Sequence, residues 1–190
     1  MMSRRRLALV ALSLAAPALC GCTERADKSS HARSDAVSST SQEMSGPSLF
    51  SHERLAPALQ ALRSKASGKL LRLEVRAREL TMQVEDSGTP GGVLELHYRD
   101  GKVAEPEHAT LRGKGQLEDN LFELSEVKLD AVPELIREAV HRVDAESGSA
   151  ELVLVRRNLP DSDDLRLRVY VSSPRRSGYV DADRSGQLLD

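Results

Sequence analysis

The chain has 190 residues, 27 Lys and Arg against 29 Asp and Glu, a hydrophobic share of 39% and an aromatic share of only 3%. Near-balanced, mixed-sign charge excludes a nucleic-acid binder, which needs a basic face, and a polybasic membrane-surface role. With two Phe, three Tyr and no Trp the core must be built from Leu, Val and Ala, and the two cysteines, Cys20 and Cys22, lie too near the N-terminus to staple it.

Arg4, Arg5 and Arg6 precede the run Leu7–Leu19, apolar apart from Ser13, and Cys20-Gly21-Cys22 follows. A positive start, a short apolar stretch and a small-residue zone form a secretory leader. The run falls short of the ~20 apolar residues a spanning helix needs, so it is an address and not an anchor. Leu19-Cys20-Gly21-Cys22 resembles the bacterial lipoprotein signal, in which a Leu, two small residues and a Cys mark the acylated first mature residue. The resemblance implies residues 1–21 as leader and Cys22 as the lipidated residue; Cys20 does not fit, because Leu19 would stand directly at the cut. Thr23, where an Asp would mean retention in the inner membrane, implies an outer-membrane, lipid-anchored protein facing the periplasm, with the cell surface as the other orientation. The lipid is then the membrane contact.

Residues 22–49 are rich in Ser, Thr, Asp and Gln with almost nothing apolar, which predicts a disordered tether. A coil of ~25 residues reaches roughly 25–30 Å. Across residues 50–104, Leu55, Leu59, Leu62 and Ala66 recur at helical spacing up to Gly68, with Pro57 assigned to the first turn. Strands follow, with Leu71, Leu73 and Val75 inward, then Leu80, Met82 and Val84, then Val93 to Arg99 closed by a turn at Asp100-Gly101. Residues 105–129 read as a connector, with Phe122 as a plug between two halves.

Residues 130–190 repeat the grammar. Asp130 is the expected cap and Pro133 the first-turn proline of a helix with Val132, Leu135, Ile136, Ala139, Val140 and Val143 on one face. Strands over Glu151–Arg156, Leu165–Val171 and Tyr179–Leu189 come next. Ala56-Pro57-Ala58-Leu59 matches Val132-Pro133-Glu134-Leu135, and Gly68 through Arg76 matches Gly148 through Arg156. The expected class is therefore α+β: two tandem units, each a helix plus a three-stranded antiparallel sheet.

The closing stretch Tyr179-Val180-Asp181-Ala182-Asp183-Arg184-Ser185-Gly186-Gln187-Leu188 is similar to the last strand of the PepSY family of small secreted bacterial modules. That resemblance implies a non-enzymatic module for protease inhibition or regulation. In tandem the units also resemble the beta-lactamase inhibitory proteins, which bind enzymes on a concave sheet.

Two stretches could hold a ligand. Asp181, Asp183 and Ser185, with Gly186 at the sixth position, read either as the opening half of a calcium loop or as a polar hairpin turn. Arg175 and Arg176 read either as a clamp for a carboxylate or an anionic head group, or as a solvated hairpin tip. No other cofactor is implied. The five histidines show no ligand spacing, no Ser stands in a nucleophile elbow, and no thiol is left free. The expected function is a lipid-anchored binding or regulatory module without catalytic activity, with a periplasmic or outer-membrane protein as partner and no nucleic acid. The alternatives are an assembly lipoprotein that recruits outer-membrane components, and a hydrolase.

Overall fold

A computed structural model describes residues 48–112 and 115–189. The leader, Cys22 and most of the predicted tether lie outside them. Leu49, assigned to the tether, belongs to the fold: it is 4% exposed, and its N–H donates to the Ala77 carbonyl at 2.8 Å.

Helix α1 spans His52–Arg63 and buries Leu55, Ala58, Leu59 and Leu62, the stripe that helical spacing requires. It starts earlier than the proline suggested. The carbonyl of Ser51 accepts the N–H groups of Arg54 and Leu55, which puts Pro57 in the second turn and not the first. Pro57 and Glu53, whose carbonyl loses its partner, are both exposed, where water replaces the missing bond.

Strands β1 (Leu70–Val75), β2 (Glu79–Glu85) and β3 (Val93–Arg99) form an antiparallel meander. Asp100 and Gly101 both take positive φ, 49° and 84°, the turn geometry that suits a twisted hairpin, and lead into β4 (Lys102–Val103). Strand β5 (Glu107–His108) pairs with β3 farther along the same edge. A four-residue helix α2 (Leu117–Asn120) and two 3-10 turns, Leu124–Glu126 and Leu129–Ala131, precede α3 (Val132–Asp144). Pro133 opens α3 as expected, but Asp130 does not cap it. The 3-10 turn extends the helix past Asp130, whose carboxylate instead meets His52 Nε2 at 2.7 Å. Strands β6 (Ser149–Arg157), β7 (Leu165–Ser172) and β8 (Ser177–Asp183) complete the chain.

The fold is α+β, and the two expected sheets are halves of one. β1 pairs antiparallel with β6, Leu73 opposite Val155 and Val75 opposite Val153, giving the order β4-β3-β2-β1-β6-β7-β8. Leu73, Met82 and Leu96 on one side, and Val155, Leu167 and Ala182 on the other, share a face and one core with the buried residues of α1 and α3. Phe122 sits 1% exposed in that core and exchanges two 2.8 Å backbone bonds with Leu70. Both helices cover this face.

One inward assignment changes. The β1–β2 register shifts between Leu70 and Arg72, so Leu70 is fully buried and Leu71, expected inside, is only half-buried. The extra residue of a bulge turns the side chain beside it to the other face. The β6–β7 register shifts likewise between Ala150 and Leu152.

Candidate functional site

Cross-strand partners share a face, so the register that buries Leu73 and Val155 sends their neighbours to the opposite, helix-free face. On β6, β7 and β8 that face carries three rows: Leu152 with Tyr170 and Tyr179, Leu154 with Arg168 and Asp181, and Arg156 with Arg166 and Asp183. Its centre is aromatic and amphipathic. The Arg168 guanidinium lies 4.0 Å from the centroid of the Tyr179 ring, and the Tyr170 and Tyr179 rings are 6.0 Å apart at 51°. Asp181 fixes that arginine bidentately, Nε at 2.6 Å and Nη2 at 2.8 Å. Tyr179 is nonetheless 56% exposed. A rigid, half-solvated Tyr over a pinned Arg pays little ordering entropy when a second surface covers it, and these two residue types dominate binding hot spots.

The expected calcium ligands do not converge. Asp181 is spent on Arg168, and Oδ1 of Asp183 accepts the Ser185 N–H at 2.8 Å, the Ser185 hydroxyl at 2.6 Å and the Gln187 N–H at 3.0 Å. Those bonds, the Ser185 hydroxyl first, lower the Asp183 pKa and close a hairpin turn around Gly186 at φ 85°. Among the described residues no three His, Cys, Asp or Glu side chains gather as a metal set.

The two arginines of the expected clamp part company. Arg175 reaches back to the end of α3, with Nη2 2.6 Å and Nε 3.2 Å from the Asp144 carboxylate and Nη1 2.9 Å from Glu146. The Ser173 hydroxyl accepts the N–H groups of Arg175 and Arg176, which holds the tip in one shape. Arg176 is exposed and makes no ion pair among the described residues.

Asp144 itself gave no signal in the sequence, where it reads as a polar residue in a last helical turn. It is 1% exposed and the one buried charged residue among those described. The Arg175 guanidinium, followed by the hydroxyls of Ser173 and Ser147, holds its carboxyl well below the usual carboxylate range. A carboxylate whose folded pKa lies below its unfolded value, near 4, stabilises the fold above that pH and loses this contribution as pH falls through the folded value. The stability of the native protein minus that of Asp144→Asn, measured in urea, should therefore be constant from about pH 7 to 5 and shrink steadily below about pH 4. A difference independent of pH down to about pH 2 would contradict the pairing.

A hydroxyl–imidazole–carboxylate chain also lies on the helix-free face. Thr81 Oγ1 is 3.2 Å from His97 Nδ1, and His97 Nε2 is 3.0 Å from Glu95. Thr81 stands on a strand paired on both sides, so the neighbouring backbone N–H groups are committed to the ladder.

No protein-family profile and no curated protein matches the chain. Among solved structures, the fold is similar to that of "a putative lipoprotein (CD1622) from Clostridium difficile 630", with a TM-score of 0.52 over 76% of this chain and 97% of that one. The two are 10% identical, so the likeness is one of fold.

Proposed function

We propose that this chain is a lipid-anchored envelope protein, acylated at Cys22 and held at the outer membrane facing the periplasm, whose folded domain is a non-catalytic docking module for a protein partner. The exposed Tyr179 stacked on Arg168 carries the reading. The leader, the Cys22 context and the fold shared with a protein described as a putative lipoprotein support the anchoring half. Among the described residues no helix is long and apolar enough to cross a membrane.

The tandem PepSY-like reading draws on the bulges. Pairing Gly68–Arg76 with Gly148–Arg156 puts Leu70 on Ala150 and Arg72 on Leu152, so both register shifts fall at the same place in each half. Each half also runs helix, then three antiparallel strands, and the halves meet at β1 and β6. A duplicated unit accounts for both. On this reading the helix-free face plays the part that the concave sheet plays in the inhibitory proteins the chain resembles.

The test compares partner capture by the full-length protein and two variants. Tyr179→Ala is expected to lower partner recovery about tenfold or more, the scale of losing an aromatic hot spot. Glu138→Ala, on the exposed side of α3, should leave recovery unchanged. Equal recovery from all three would sink the docking face, and turnover of a generic ester or peptide library would sink the non-enzymatic reading. A captured outer-membrane assembly machine would make the module a recruiting scaffold and not a regulator.

A further inference from the structure

At the far end of the same face lies a second feature, independent of Tyr179. Arg156 stands directly across from Arg166, and continuing the β1–β6 register places Arg72 on its other side. Three arginines in a row across adjacent strands repel one another, an arrangement that weakens a sheet. Two described side-chain nitrogens are buried without a hydrogen-bond partner, the Nε atoms of Arg72 and Arg166. Arg166 stands opposite Asp183 and lines a separate cavity with Asp163 and Asp164, so Arg72 is the one that bears on this end of the face. A buried donor left unbonded costs free energy, so Arg72 Nε calls for an acceptor.

Beside the row is a cavity of about 310 Å³ lined by Arg72, Arg112, Arg156 and Arg157 and by no carboxylate. Arg72 is partly neutralised by Glu74, and Arg157 by Glu126, besides donating to the carbonyls of Leu121 and Asp163. Arg112 and Arg156 have no ion pair among the described residues. Leu71, Leu111 and Leu159 line this cavity and also an adjoining, more apolar one of about 630 Å³ that includes Leu117 and Pro160 and, as its one carboxylate, Asp119. Leu111 is 44% exposed at the junction, one of two large apolar side chains so exposed among the described residues. The bulge at Leu71 is what delivers an apolar side chain to this wall.

We infer that the two joined cavities form a binding site for a small anionic amphiphile, its phosphate or carboxylate head among Arg72, Arg112 and Arg156 and its apolar chain along Leu71, Leu111 and Leu159. Arginine suits both heads because its planar fork bonds two oxyanion oxygens at once. The site does not depend on the docking reading.

The test uses full-length Cys22→Ser protein, which would carry no acyl chain of its own, titrated with monomeric dodecyl phosphate, dodecanoate and inorganic phosphate. Dodecyl phosphate should bind saturably with one-to-one stoichiometry, and inorganic phosphate at least tenfold more weakly. Dodecanoate tighter than dodecyl phosphate would assign a carboxylate head, and the reverse a phosphate head. Arg156→Gln should weaken binding at least tenfold while its melting temperature stays equal or rises, since a repulsion is relieved. Leu111→Ser should weaken the two amphiphiles but not inorganic phosphate, and Tyr179→Ala should change none of them. Absence of saturable binding by either amphiphile, or unchanged affinity in Arg156→Gln, would overturn the site; so would a melting temperature lowered by that substitution, which would make the row structural.

Discussion

Cys22→Ser should abolish acyl labelling and move the protein from the membrane fraction to the soluble fraction, while Cys20→Ser changes neither. Acylation requires a thiol at the cut, and only Cys22 has Leu19 three residues before it and Gly21 immediately before it. A single fatty chain binds a bilayer only marginally, with a constant on the order of 10⁴ M⁻¹, so stable anchoring needs more than one chain or a second signal. The acidic, mixed-sign surface offers no polybasic second signal. If Cys22 is the acylated residue, its loss should therefore release nearly all the protein. The reverse pattern, with Cys20→Ser losing the label, would move the mature terminus by two residues and overturn the lipobox reading.

The second large effect concerns the join between the halves. Leu73 is fully buried at the centre of the sheet, opposite Met82 on one side and Val155 on the other. Leu73→Ala removes several methylene-sized groups from a core with no disulfide support and should cost about 2–5 kcal/mol. That is a large part of the ~5–15 kcal/mol a domain of this kind has in total. Because one core serves both helices, the loss should appear as a lower midpoint in a single urea transition of unchanged slope, not as a separate unfolding of residues 50–104. Two resolved transitions, with only the first shifted, would mean that the halves are independent.

How much of this was legible follows from what each signal depends on. Alternation of Leu80, Met82 and Val84 with polar neighbours is a local pattern, and β2 forms as that pattern requires. The Asp100-Gly101 turn is equally local, since it needs only two residues that accept positive φ. Leu70 and Leu71 are the same residue type, so no pattern could tell which one the bulge would turn outward. Pro57 misled because the helix start is set by the carbonyl of Ser51, a choice the proline does not control.

The candidate sites were harder to read for a single reason: their members come from elements far apart in the sequence. Asp144 and Arg175 are joined only because the β7–β8 hairpin folds back over the end of α3. Arg168 and Tyr179 become a pair only once β7 and β8 are in register, and the same register consumes Asp181. The row Arg72, Arg156 and Arg166 draws on three strands from both halves. In the sequence each member is one polar residue in an alternating strand.

The most direct measurement of the docking claim is site-specific photo-crosslinking in living cells, with the full-length protein carrying its own leader and Cys22. A photoreactive residue replaces Tyr179 in one strain and Glu138 in another. The expected result is one reproducible protein adduct from position 179 and none from position 138. Adducts from position 138 alone, or from neither position in cells where the protein is membrane-bound, would contradict a partner docked on the helix-free face.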